Sequence, residues 1–175
     1  LANAYLSAGQ KDQALQAFQQ AIDANPYYWL NYNHLGVAYL QLGENQKALE
    51  ALQKVVQLAP DSVPGYENLG ATYFQMGNWS QAAANFEKAL QIEPSESLYS
   101  NLGTAYFYLQ RRPDAVRMFE KAVETSPNDY TAAGNLADGY RWTGANAKAK
   151  SSYERAIGLA LKALQVNPKD AVAMG

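Results

Sequence analysis

The chain has 175 residues, of which 48% are hydrophobic and 17% charged, with no cysteine and a formal net charge of −2. This is the composition of an ordinary folded chain, which argues against disorder or a fibrous class; the lack of cysteine removes disulfides, thiolate nucleophiles and sulfur-ligated metals, and fits a reducing compartment such as the cytoplasm. Basic residues form no run and no stretch of about 18 consecutive apolar residues occurs, so neither nucleic acid nor a membrane is expected as partner.

An internal repeat organises the chain. Tyrosine recurs at Tyr5, Tyr39, Tyr73, Tyr106 and Tyr140, at intervals of 34, 34, 33 and 34 residues. Alanine follows in the same register at Ala14, Ala48, Ala82, Ala115 and Ala149, and Leu35-Gly36, Leu69-Gly70, Leu102-Gly103 and Leu136-Ala137 precede the tyrosines. A fixed period of this size is the signature of a stacked repeat architecture.

Within each period the punctuation divides two helices. Gly9, Gly43, Gly77 and Gly144 mark central turns, and Pro26, Pro60, Pro94 and Pro127 close successive units. In chain order this predicts a first, A-type helix over 1–8, 29–42, 63–76, 96–109 and 130–143. The second, B-type helix is predicted over 11–24, 45–58, 79–92, 112–125 and 146–166. The small residues Gly36, Gly70, Gly103 and Ala137 are expected where an A helix crosses its B helix, with the alanines at 48, 82, 115 and 149 accepting the close approach. The tyrosines, with Phe18, Leu52, Phe86, Phe119 and Tyr153, are expected to fill the space between neighbouring units, which one unit cannot bury alone.

The unit Leu69-Gly70, Tyr73, Ala82, Phe86, Ala89, Pro94 resembles the tetratricopeptide repeat family, and the pattern extends over nearly the whole chain. The resemblance implies an all-α fold, a right-handed superhelical α-solenoid of tandem helix-turn-helix units. It reads as a single array over 1–175: a partial unit 1–28, units 29–62, 63–95 and 96–129, an extended unit 130–170, and the start of a further unit at 171–175. Leu52 and Val55, Gln110 at a turn-glycine position, and Ala137 for glycine are mild departures.

Two irregularities stand out. One residue is missing between Pro94 and Gly103, which tightens the entry to the next unit and is expected to alter the superhelical twist locally. From Ala149 to Pro168 the interval is 19 residues where earlier alanine-to-proline intervals are 12. Seven extra residues make close to two helical turns, so a lengthened final B helix is expected, with Tyr153, Ala156, Ile157, Ala160, Leu161 and Leu164 keeping apolar register. Asn167-Pro168-Lys169-Asp170 restores the closing pattern. The chain opens inside one repeat and ends at the start of another, so it is expected to be part of a longer array whose uncapped ends leave self-association open.

No catalytic constellation is legible. His34 is the only histidine, so a zinc motif with two histidines cannot be built, and acidic pairs such as Glu120 and Glu124 read as solvated faces. A non-enzymatic chain without cofactor or metal is expected. In tetratricopeptide arrays the A helices line the concave surface, and resemblance to the family places helix positions 2, 5, 6, 9, 12 and 13 on it. Position 6 reads His34, Asn68, Asn101 and Asn135, a polar ladder. An asparagine amide both donates and accepts, so such a row suits the backbone of an extended peptide; it is similar to the asparagine ladder of O-linked GlcNAc transferase, and asparagine before Leu-Gly is also simply common in the family.

Phe74, Phe107, Tyr108, Asp138, Arg141 and Trp142 complete the candidate peptide-binding set, with Arg141 and Trp142 the preferred anchors. Phe74 and Phe107 could equally pack between helices. The carboxylate clamp of chaperone-binding relatives is not expected, because positions 2 and 5 carry no cation. Glu67 and Asp138 favour a cationic partner, and Arg141 opposes them. A protein-interaction scaffold is the leading expectation. The alternatives are a regulatory or substrate-recruiting segment of a larger enzyme or transcription regulator, and a self-assembly module.

Overall fold

The computed structural model describes residues 1–166. Every regular element among them is helical, and the chain divides into two compact units, the first over Leu1–Glu93 and the second from Pro94 onward. The first unit holds α1 (Ala2–Ser7), α2 (Lys11–Ala24), α3 (Trp29–Gln41), α4 (Asn45–Leu58), α5 (Val63–Gln75) and α6 (Trp79–Ile92). The second holds α7 (Glu96–Tyr108), α8 (Arg112–Thr125), α9 (Tyr130–Trp142) and α10 (Asn146–Val166). In both, consecutive helices pair as antiparallel hairpins and each hairpin packs on the next. The expected closing pattern at 167–170 and the start of a further unit at 171–175 lie outside the described residues.

The turn chemistry explains the boundaries. At each A-to-B turn a residue adopts positive φ: Gly9, Gly43, Gly77 and Gly144 at 72–77°, and Gln110 at 62°. The amide after each of these donates to the carbonyl of the repeating tyrosine: Gln10 to Tyr5, Glu44 to Tyr39, Asn78 to Tyr73, Arg111 to Tyr106 and Ala145 to Tyr140, all at 2.8–2.9 Å. This is the six-to-one bond of a Schellman cap, which a left-handed residue makes possible. Each B helix of the first three full hairpins, like α2, ends on a residue with non-helical backbone just before the repeating proline, namely Asn25, Ala59, Glu93 or Ser126. Side-chain caps start several of the following helices. Ser62 accepts from Gly65 N–H at 3.2 Å, Ser95 from Leu98 N–H at 3.3 Å, and Asp129 from Thr131 and Ala132 N–H at 2.6 and 3.0 Å.

Packing refines the expected role of the small residues. The group lying on Gly36, Gly70 and Gly103 is the large side chain four positions after the B-helix alanine. A Cβ added to Gly36 would come within 2.6 Å of Leu52, one on Gly70 within 2.5 Å of Phe86, and one on Gly103 within 2.7 Å of Phe119. The alanines 14, 48, 82 and 115 are fully buried beside these crossings. Phe119 reaches the following hairpin as well, 3.1 Å from where a Gly139 Cβ would stand, so one ring fills both the crossing and the space between units. In the first unit Tyr39 packs against the core around Phe18 and also the core around Leu52, and Tyr73 packs against the latter from the next hairpin. Burying a Leu or Phe in this way contributes about 1.5–3 kcal/mol each, and no hairpin could do so unaided.

Both irregularities have structural counterparts. Three residues separate α6 from α7 where four separate α2 from α3, α4 from α5 and α8 from α9, and the division between the two compact units falls at this short connection. The final B helix runs 21 residues against 14 for α2, α4, α6 and α8. Its apolar register persists, but Ile157, at the position of the buried Ile22 and Val123, is 60% exposed, and Leu161, beyond the length of the other B helices, is 55% exposed.

Candidate peptide-binding face

Residues at spacings of three, four and seven lie on one face of a helix; candidates touch one another in the second unit, whereas in the first each engages a different neighbour. In the first unit His34, Val37, Ala38 and Gln41 of α3 face Asn3 and Leu6 of α1 across a cleft of about 220 Å³. His34 is exposed at this cleft, its ring tilted over Phe18 at 6.4 Å. On α5, Asn68 is half-buried and its amide donates to the Asn33 side-chain oxygen at 3.0 Å, while the Asn68 carbonyl accepts from the Thr72 hydroxyl at 2.7 Å. Asn33, at 8% exposure, is therefore the buried partner that fixes the Asn68 amide on this face, and position-6 spacing alone did not single it out. The pairing of neighbouring positions 5 and 6 was its available signal.

Phe74, lower on α5, meets Trp79 edge-on at 4.8 Å, so its ring is engaged by the turn into α6. Glu67, one residue before Asn68, is half-buried, and that burial pushes its carboxyl above the ordinary range.

In the second unit Asn101 on α7 and Asn135 on α9 are both half-buried. One and two turns further along stand the remaining candidates. Phe107 and Trp142 stack with centroids 3.8 Å apart, and Tyr108, 46% exposed, meets Phe107 edge-on at 5.6 Å. Phe119 supports the indole from beneath at 6.3 Å. Arg141 is exposed and reaches Asp138 at 3.5 Å, and Asp138 also accepts from the Tyr153 hydroxyl. That hydrogen bond raises the Tyr153 phenol, with burial adding to it. The second unit thus offers amides, a supported aromatic platform and one cation beside a carboxylate. Such groups can hold a peptide by hydrogen bonding, stacking and ion pairing.

Among the described residues no group of three or more His, Cys, Asp or Glu side chains is placed to hold a metal ion, and no helix is long and apolar enough to cross a membrane.

Comparison with known proteins agrees with this architecture. No curated protein matches the chain by sequence. Among solved structures the chain is similar to MamA, with 22% identity over 94% of this chain and 97% of that one and a TM-score of 0.85. It is similar to TTC0263, a thermophilic TPR protein of Thermus thermophilus, with 24% identity over 99% of this chain and 95% of that one and a TM-score of 0.71. A chain from the crystal structure of the APC/C hetero-tetramer Cut9-Hcn1 shows 24% identity over 90% of this chain and 32% of its own length, with a TM-score of 0.75. Three family models, each described as tetratricopeptide repeat, match residues 1–63, 35–105 and 97–126. With the tyrosine-carbonyl turns and glycine crossings described above, these matches show that the chain belongs to the tetratricopeptide repeat family.

Proposed function

We propose that the chain is a protein-interaction scaffold whose A-helix faces hold an extended peptide or a helix of a partner protein. The observation that carries this reading is the platform of the second unit: Phe107 and Trp142 stacked, Tyr108 and Arg141 exposed beside them, Asn101 and Asn135 on the same helices. Aromatics and arginine are the side chains that most often anchor a partner, and half-buried amides satisfy a peptide backbone whatever its side chains. Membership in an assembly, as in the Cut9-Hcn1 hetero-tetramer, is in keeping with such a role.

The test is an unbiased peptide-library screen on the full chain, run beside Tyr108→Ser/Arg141→Ala and beside Asn68→Ala/Asn101→Ala/Asn135→Ala, each verified as folded by circular dichroism. Peptides that lose at least about tenfold in affinity on either variant support the reading. Failure to recover any peptide, or binding indifferent to both variants, overturns it.

A second reading, self-assembly, is favoured by the exposed Ile157 and Leu161 of α10. It predicts a concentration-dependent mass that Ile157→Lys/Leu161→Lys abolishes, and a mass that stays monomeric at all concentrations rules it out.

A further inference from the structure

Among the described residues several carboxylates are matched by partners. Glu44 pairs with Lys11 and Lys47, Asp114 with Arg111 and Arg117, Asp138 with Arg141 and Tyr153, and Glu120 accepts from Tyr140 at 2.7 Å. Glu67 differs. It is half-buried, and among the described residues no cation and no hydrogen-bond donor engages it. Beside it the Asn68–Asn33 hydrogen bond, with Asn33 8% exposed, forms a fixed polar floor.

Its setting is also electrostatically simple. At positions 2, 5, 6, 9, 12 and 13 of α3 and α5 there is no lysine, no arginine and no other acid; only His34 is titratable besides Glu67. The first unit as a whole, residues 1–93, holds four Lys against eight Asp and Glu, 4 − 8 = −4. A carboxylate already stripped of part of its water, in a negatively charged unit, gains more from an arriving cation than a solvated one would.

We infer that Glu67 sets the specificity of the first unit's face by accepting a lysine or arginine side chain of the bound peptide. This rests on the peptide-binding reading above and adds the chemistry of one ligand residue to it.

The experiment uses the full chain and a random peptide library, first on the wild type and then on Glu67→Gln, an isosteric change that removes the charge without altering volume. Recovered peptides are titrated alongside analogues carrying Met for Lys, or citrulline for Arg. Wild-type binders enriched for a cation at one fixed position, weakened about tenfold by its replacement, with that discrimination gone in Glu67→Gln, support the inference. Binders with no cationic enrichment, or discrimination retained by Glu67→Gln, overturn it while leaving peptide binding intact. Recovery of no binder at all overturns both readings together.

Discussion

The indole of Trp142 lies on the ring of Phe107, with centroids 3.8 Å apart and planes 28° from parallel. One residue ends α9 and the other nears the end of α7, so the stack ties two successive A helices together, and Phe119 of the intervening B helix closes it from below at 6.3 Å. The same rings that would meet a partner therefore also hold the second unit together.

Trp142→Ala is accordingly expected to lower stability by about 2–3 kcal/mol, below the usual cost of removing a large core aromatic because the indole is only half-buried. Trp142→Phe should retain most of the stack. Urea unfolding followed by circular dichroism measures both, and an unchanged midpoint for Trp142→Ala would show that the stack adds nothing to the fold.

The glycines within helices separate into two kinds with opposite expected behaviour. Gly103→Ala drives a methyl to 2.7 Å from the Phe119 ring, itself 2% exposed and held on its other side by α9. The ring has no room to retreat, so a loss of about 1–3 kcal/mol is expected. Gly158, inside α10, has nothing within 4 Å of an added Cβ, and Gly158→Ala should raise stability by roughly 0.5–1 kcal/mol through helix propensity alone. Melting temperatures moving in the same direction for the two variants would contradict this account.

Much of the fold was legible because its punctuation is local. A left-handed turn residue and a closing proline act on their immediate neighbours, so Gly43 and Pro60 bracket α4 whatever else is nearby, and the helix ends fall within one residue of the spacing-based expectation for 29–42 and 45–58. The candidate face was legible as positions but not as interactions. Asn68 and Asn33 are 35 residues apart and meet only because adjacent A helices place position 6 of one beside position 5 of the other. Phe107 and Trp142 meet by the same non-local route. Periodicity shows which residues share a level; side-chain direction and burial decide which of them spend their polar atoms or ring faces on each other.

Gln110 tests the turn chemistry directly. It is the one described non-glycine residue with positive φ, at 62°, in a place taken by glycine in the other four turns. Holding a side-chain-bearing residue there costs roughly 1–2 kcal/mol, and glycine's greater freedom in the unfolded chain returns part of that. Gln110→Gly is therefore expected to stabilise by up to about 1 kcal/mol. The reverse change, Gly43→Ala, meets no atom within 4 Å, so its expected loss of about 1 kcal/mol is purely a backbone effect. If Gln110→Gly destabilises instead, the side chain of Gln110, which accepts from Arg112 at 3.5 Å, matters more than its backbone.

Glu44 supplies the pH dependence. It stands just before α4 and bonds both Lys11, at the start of α2, and Lys47, one turn into its own helix, so the pairing joins the N-terminal ends of successive B helices. Those two bonds hold its carboxyl at about 2 against an ordinary 4.5. Because the folded value is the lower, the contribution is fully present above about 4.5 and is lost as pH falls toward 2. Glu44→Gln should thus be less stable than wild type at neutral pH, with the difference shrinking as the pH is lowered through that window. Both lysines are substantially exposed, at 44% and 57%, so added salt should also shrink the difference. Thermal unfolding of the two proteins from pH 7 to pH 2, at low and high salt, decides it: a gap that stays constant with pH would mean that Glu44 acts as a helix-terminal hydrogen-bonding group and its charge is immaterial.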